Sequence, residues 1–171
     1  MTRKTGVLNQ MAYVVPDIQQ GIDFWTRTMG VGPFFVFPDL QAERADYRGQ
    51  DLIYQFGAAI AFSGELNIEL IEPRGPSIFD DFLKAGGKGV HHTCRFVDDI
   101  ASEEAEIAAL GAKRLQGACF GPGSEVSYYD MSGDESVILE LAQLVPETYA
   151  LFDALKQAGY DWDGQSRTIT F

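Results

Sequence analysis

Residues Val7 to Val15 alternate between apolar and polar side chains well enough to predict a strand, and Pro16-Asp17 then opens a helix. Ile18, Ile22, Trp25 and Met29 recur along that helix at helical spacing, and Gly30 takes the C′ position that ends it. Gly32 to Pro38 reads as a short strand bounded by prolines, followed by longer strands over Asp51 to Phe62 and Leu66 to Pro73 that meet at Ser63-Gly64. A short helix around Ser77 to Ala85 leads into a second round of the same order. The pattern predicts a strand over Val90 to Val97 and a helix from Asp99 to Leu110, closed by Gly111, with Ile100, Ile107 and Leu110 on one face. Strands follow near Lys113 to Cys119, Glu125 to Asp130 and Ser136 to Leu144. Beyond Pro146 comes an amphipathic helix over Glu147 to Ala158 and an ending rich in aromatics, Tyr160, Trp162 and Phe171, with no counterpart in the first half.

The two rounds also match residue by residue. Gln10 to Ile18 lies over His92 to Ile100, so that Asp17-Ile18 meets Asp99-Ile100 and Gln10 meets His92; Ile68-Glu69-Leu70 lies over Leu139-Glu140-Leu141. This predicts an α+β fold of two tandem βαβββ modules whose strands form one curved, cup-shaped mixed sheet with the helices outside. Residues 1–75 make the first module, 76–145 the linker helix and second module, and 146–171 the C-terminal helix and tail. Alternate residues of a strand share a face, which gives Gln10, Glu69, His92 and Glu140 to the concave side. An imidazole and three oxygens converging about a pseudo-twofold axis suit a divalent metal ion.

His91 and His92 are adjacent, and on a regular strand they point to opposite sides. The repeat selects His92 as ligand and leaves His91 a structural or supporting role. Glu140 sits in the apolar frame Val137-Ile138-Leu139-Glu140-Leu141-Ala142, where an ionised carboxylate needs a partner. Tyr13, Tyr54, Gln55, Tyr128 and Tyr129 are candidates for lining the cup, though aromatics in a sheet more often pack. Cys94 has the parity to face the site and reads as a buried spectator thiol. Gly30-Val31-Gly32 is a helix stop rather than a phosphate loop. The only two histidines of the chain do not support a Ser-His-Asp or Cys-His nucleophile set.

At 171 residues the chain suffices for one compact domain or two half-size modules sharing a core, and 46% hydrophobic with 22% charged residues argues against disorder. The net charge of −12 opposes binding to nucleic acid or to anionic membranes. Cys94 and Cys119 form no CxxC pair, so they read as reduced thiols rather than a zinc ribbon or disulfide framework. The opening residues show no apolar leader, and no run approaches the roughly 18 apolar residues of a membrane span. A soluble, cytoplasmic protein is expected.

Asn9 to Ile18, Glu69 to Pro73 and Gly89 to Ile100 resemble the characteristic segments of the vicinal oxygen chelate superfamily, the glyoxalase, bleomycin-resistance and extradiol dioxygenase group. The likeness spans about Leu8 to Leu144. The last two segments, with Ser136 to Leu141, are most similar to methylmalonyl-CoA epimerase; the ligand order Gln, Glu, His, Glu is similar to zinc-type glyoxalase I. Gln10 stands where epimerases carry a histidine and where dioxygenases need one. The region Tyr54-Gln55-Phe56 lacks the extra carboxylate of the epimerases.

The resemblance implies one divalent ion, Zn, Co, Mn, Ni or Fe, held by Gln10, Glu69, His92 and Glu140. It implies that Glu69, Glu140 or both also act as the catalytic base. The reaction implied is proton transfer next to a carbonyl through an enediolate, as in an epimerase-like isomerase. The alternatives are a glyoxalase I-like lyase acting on a thiol hemithioacetal and a metal-free small-molecule-binding protein of the bleomycin-resistance type. The expected partner is a small carbonyl substrate, as an acyl-CoA or a thiol adduct, and the expected assembly is a homodimer.

Overall fold

The computed structural model of the protein describes residues 6–171; the expected lack of a leader falls partly on residues 1–5, outside the described part. The first round of elements runs β1 (Gln10–Val14), α1 (Ile18–Phe24), β2 (Phe34–Gln41), β3 (Arg44–Tyr47), β4 (Gln50–Asp51), β5 (Gln55–Ser63) and β6 (Leu66–Pro73). After α2 (Ile78–Lys84) come β7 (Val90–Phe96), α3 (Ile100–Ala109), β8 (Lys113–Gly121), β9 (Ser124–Asp130) and β10 (Ile138–Gln143). The chain ends with α4 (Pro146–Tyr160) and β11 (Thr168–Ile169). Among the described residues no helix is long and apolar enough to cross a membrane.

All strands join one curved sheet in the order β11-β2-β5-β6-β1-β7-β10-β9-β8-β3-β4. Its centre carries the twofold pattern. β1 runs parallel to β6, β7 runs parallel to β10, and the two pairs meet along an antiparallel seam between β1 and β7. The helices that follow β1 and β7 start alike. Asp17 and Asp99 cap them by accepting the backbone N–H groups of Gln20 and Ser102. Their first N–H groups, at Ile18 and Ile100, donate to Glu72 of β6 and Gln143 of β10. Both helices cover the convex face: Ile18, Ile22 and Trp25 pack on Ala59, Ala61, Ile68 and Leu70, while Ile100 and Ile107 pack on Leu139 and Leu141.

Helical spacing misplaces two apolar residues. Met29 is 52% and Leu110 is 66% exposed. α1 continues into a π-helical turn over Trp25–Met29, whose wider turn rotates Met29 off the buried stripe before Gly30 ends the helix in the left-handed region. Leu110 is the C-cap of α3, past its last full turn.

The strand predicted to stop at Pro38 continues to Gln41. Its pairing with β5 shifts between Phe37 and Leu40, which spares the sheet the N–H that proline lacks. The hairpin β3-β4 was not predicted, nor was β11, which adds two residues beside β2. β2 and β3 lie near opposite ends of the strand order, yet only Ala42 and Glu43 separate them. Two residues span at most about 11 Å between flanking Cα atoms. The sheet therefore curls until its edges approach, and the chain crosses the gap there, with Glu43 N–H donating to Cys119 carbonyl oxygen.

Two further helices seal the concave side. α2 inserts Ile78 and Phe79 among Ala12, Val14, Ala58, Ile71, Tyr128 and Ile138. α4 lays Phe152 and Leu155 on Ile60 and Phe62, so the C-terminal segment covers the cup. Leu155→Ala should cost about 3 kcal/mol of stability in chemical denaturation, as expected for a fully buried leucine. A loss below about 1 kcal/mol would mean that α4 is not seated on the sheet.

Candidate metal centre

The four central strands, in the order β6-β1-β7-β10, carry Glu69, Gln10, His92 and Glu140, one on each. Cross-strand register sorts the concave face into two rows. One row runs Asn67, Gln10, Cys94, Glu140, Tyr128 and Gln116; the other runs Ile60, Glu69, Ala12, His92 and Ile138. Ala12, directly between Glu69 and His92, contributes only a methyl group, so the longer side chains meet above it.

They do meet. His92 Nε2 lies 3.1 Å from Glu140 Oε2 and 3.9 Å from Glu69 Oε2. The donor atoms of these three residues all fall within 4.8 Å of one another. Gln10 Nε2 donates to Glu69 Oε2 at 2.6 Å, and the Tyr128 hydroxyl donates to Glu140 Oε1 at 3.0 Å. His92 is 1% exposed, and Gln10 and Glu140 are each 5% exposed.

This much negative charge out of water shifts the groups around it. Burial, reinforced by the Glu140 carboxylate, raises the Glu69 pKa well above the usual carboxylate range. Burial and the same carboxylate raise the pKa values of the Cys94 thiol and the Tyr128 phenol, so both keep their protons.

His91 departs from the regular-strand expectation. The pairing of β1 with β7 passes from Ala12 opposite His92 to Tyr13 opposite Val90, which leaves His91 as the extra residue of a β-bulge. A bulge breaks the alternation of sides, and His91 Nδ1 comes to 2.8 Å from His92 Nδ1. Burial, together with His92, lowers the His91 pKa to about 3, so the ring is neutral. With His92 Nε2–H donating to Glu140, Nδ1 accepts from His91. A cation at Nε2 requires the other tautomer, with Nδ1–H donating to His91.

Residues 9–129 match the sequence profile of the Glyoxalase/Bleomycin resistance protein/Dioxygenase superfamily. The chain belongs to this superfamily. Its fold is also that of several solved structures. A hypothetical protein from Bacillus halodurans superposes with a TM-score of 0.57 at 19% identity, covering 83% of this chain and 96% of that one. The Streptomyces coelicolor methylmalonyl-CoA epimerase, in complex with 2-nitronate-propionyl-CoA, gives 0.56 at 18% identity over 84% and 97%. The Mycobacterium tuberculosis methylmalonyl-CoA epimerase gives 0.57 at 16% over 88% and 97%. At such identities the likeness speaks for the fold alone. No curated protein matches the sequence.

Members of the superfamily often hold a metal, and the residues here fit one. Donors bonded to one ion at about 2.0–2.2 Å lie about 3 to 4 Å apart. The spread of 4.8 Å for Glu69, His92 and Glu140 needs only a small contraction. Two buried acids also call for positive charge. The Gln10 amide, tied to Glu69, can offer its oxygen as a further donor after a half-turn. Gln10, His92 and Glu140 are buried, while the Glu69 side chain keeps 12% of its surface exposed. A cavity of about 480 Å3 on the α2 side reaches His91 and Ile138, and one of about 370 Å3 under α4 reaches Phe62 and Phe96.

The sequence offers Tyr128 as a candidate for lining the cup beside the commoner packing role, and it gives no sign of Gln116. Both follow from Glu140 by cross-strand register, which depends on strand order and is invisible in one strand alone.

The proton on Glu69 competes with a cation, so affinity for a divalent ion should fall steeply with pH below the raised pKa of Glu69. Titrations between pH 8 and pH 5 test this, and a flat profile would contradict it. A carboxyl whose folded pKa is raised stabilises the fold below its unfolded value, near 4.5, and loses that contribution as pH rises through the folded value. The metal-free protein should accordingly melt lower at pH 8 than its Glu69→Gln variant, a gap that closes on acidification.

Proposed function

We propose that this protein is a divalent-metal-dependent enzyme that moves a proton on the carbon next to a carbonyl, as an epimerase-like isomerase. The observation that carries the reading is the buried meeting of two carboxylates and an imidazole, with an amide bonded to one of them. A bound ion, Zn, Co, Mn, Ni or Fe, would supply Lewis acidity that makes the adjacent C–H acidic.

The residues divide the remaining work. Gln10 and His92 anchor, and His91 fixes the ring of His92. Glu140 is gripped at both oxygens, by Tyr128 and by His92, which suits a fixed ligand. Glu69 is held through Oε2 by Gln10. Its raised pKa brings it closer to the working range of a group that accepts and returns a proton. Glu69 is therefore the proton-transferring base in this reading. Burial keeps water from competing for that proton.

The substrate class is a small carbonyl compound, as an acyl thioester or a thiol adduct. The solved epimerases that the fold resembles carry ligands of the first kind, one of them methylmalonyl-CoA. A second reading, a glyoxalase I-like lyase acting on a thiol hemithioacetal, is favoured by the donor set of Gln10, Glu69, His92 and Glu140. A metal-free binding protein is the third reading, and elemental analysis separates it from the other two.

Protein purified without a metal-affinity tag should contain about one divalent ion per chain, with His92→Ala and Glu140→Ala weakening its binding at least 10- to 100-fold. Full metal content in either variant, or none in the wild type, would defeat the assignment. Exchange of the α-proton with solvent deuterium, followed by NMR over acyl thioesters and hemithioacetals, identifies the reaction. Glu69→Gln, assayed with the ion in excess so that the site is filled, should slow that exchange by at least about 100-fold; unchanged exchange would move the base elsewhere.

A further inference from the structure

Beyond Glu140 the polar row continues through Tyr128 to Gln116 on β8, each opposite the one before. Gln116 is fully buried, and its Oε1 accepts the backbone N–H of Ile78 at 3.0 Å. A backbone N–H can only donate, so the amide oxygen is the atom that faces it and the free end is the NH2 group. That Nε2 has no hydrogen-bond partner.

A second unpaired group lies beside it. Tyr54, in the segment that enters β5, is 3% exposed and reaches the same region from the first module. Its ring stacks on Phe56 and meets the edge of Phe79 at 6.2 Å; Phe79 in turn lies 5.5 Å from Tyr128 and 6.1 Å from His92. The Tyr54 hydroxyl sits next to Gln116, whose amide leans on its oxygen without completing a well-formed hydrogen bond, and within the field of Glu140; its own O–H has no acceptor. Burial raises its pKa, so the phenol keeps a proton to donate.

Buried polar groups are paired in roughly nine cases of ten. Two orphaned donors side by side, one from each module and next to the candidate metal centre, call for an acceptor that arrives with a ligand. We infer that Tyr54 and Gln116 form a two-donor seat for a negatively charged oxygen of the substrate, on the Glu140 side of the centre. This rests on the proposed function for the identity of the occupant as substrate. It deepens that reading by selecting carbonyl compounds that bear a carboxylate. Neutral donors suit the place, because a lysine or arginine there would pair with Glu140 and compete for it.

Tyr54→Phe removes an orphan without changing the packing, whereas Tyr128→Phe removes a bond that is made. In the metal-free protein, Tyr54→Phe should raise the melting temperature by about 3 °C and Tyr128→Phe should lower it. Oxalate, which chelates an ion through two oxygens and presents two more, serves as the probe on metal-loaded protein. Its affinity, measured by calorimetry, should fall at least tenfold in Tyr54→Phe while metal content stays at the wild-type level. A lowered melting temperature for Tyr54→Phe, undiminished oxalate affinity in that variant, or no oxalate binding by metal-loaded wild type would overturn the seat. If the wild type holds no ion, the functional reading fails separately, and the melting comparison still decides whether the Tyr54 hydroxyl is an orphan.

Discussion

Two carboxylates held within 4 Å of the same imidazole, largely away from water, form the constraint around which this protein is arranged. With donor atoms no more than 4.8 Å apart and an effective dielectric constant of about 20, two like charges repel by at least about 3 kcal/mol, before the cost of removing either from water. The site answers in several ways at once. Glu140 receives donors at both oxygens, Glu69 receives the Gln10 amide, and Glu69 takes up a proton more readily than an exposed glutamate. A cation would replace that proton and satisfy both acids together. The same tension that makes the cluster costly as a structural feature is what an ion placed between the acids would relieve.

The sheet supplies the rigidity that such a cluster needs. Each of the four residues stands on its own central strand, and the antiparallel seam between β1 and β7 fixes the distance between the two halves. Ala12 leaves the room in which Glu69 and His92 meet, and the bulge at His91 turns a second imidazole toward the first. The covers are different in kind. α2, α4 and the β2 to β3 crossing close the cup from three directions, and α4 comes from a segment outside the repeat. Exclusion of water from the centre is thus set by elements distinct from those that hold the donors.

The repeat was legible because it lies in local pattern. Asp17 and Asp99 begin helices for the same capping reason, and Gly30 ends the first by adopting a conformation that suits glycine. Alternation placed Glu69 and Glu140 on faces opposite their leucine and isoleucine neighbours. Where local pattern misled, a non-local cause was at work. Met29 left its stripe because a π-turn widened the helix, β2 outran Pro38 because a register shift absorbed the missing N–H, and His91 turned inward because β1 imposed a bulge on β7.

The sequence by itself determined the two rounds of elements, the parity of the concave residues and the kinds of donor that face inward, since each depends on contacts a few residues apart or on matching between the halves. Only the tertiary structure decided that Tyr128 grips Glu140, that Tyr54 and Gln116 meet across the modules, that His91 touches His92 and that the C-terminal helix closes the cup. Those relations join residues far apart in the chain, and they follow from strand order and sheet curvature, which no single segment encodes.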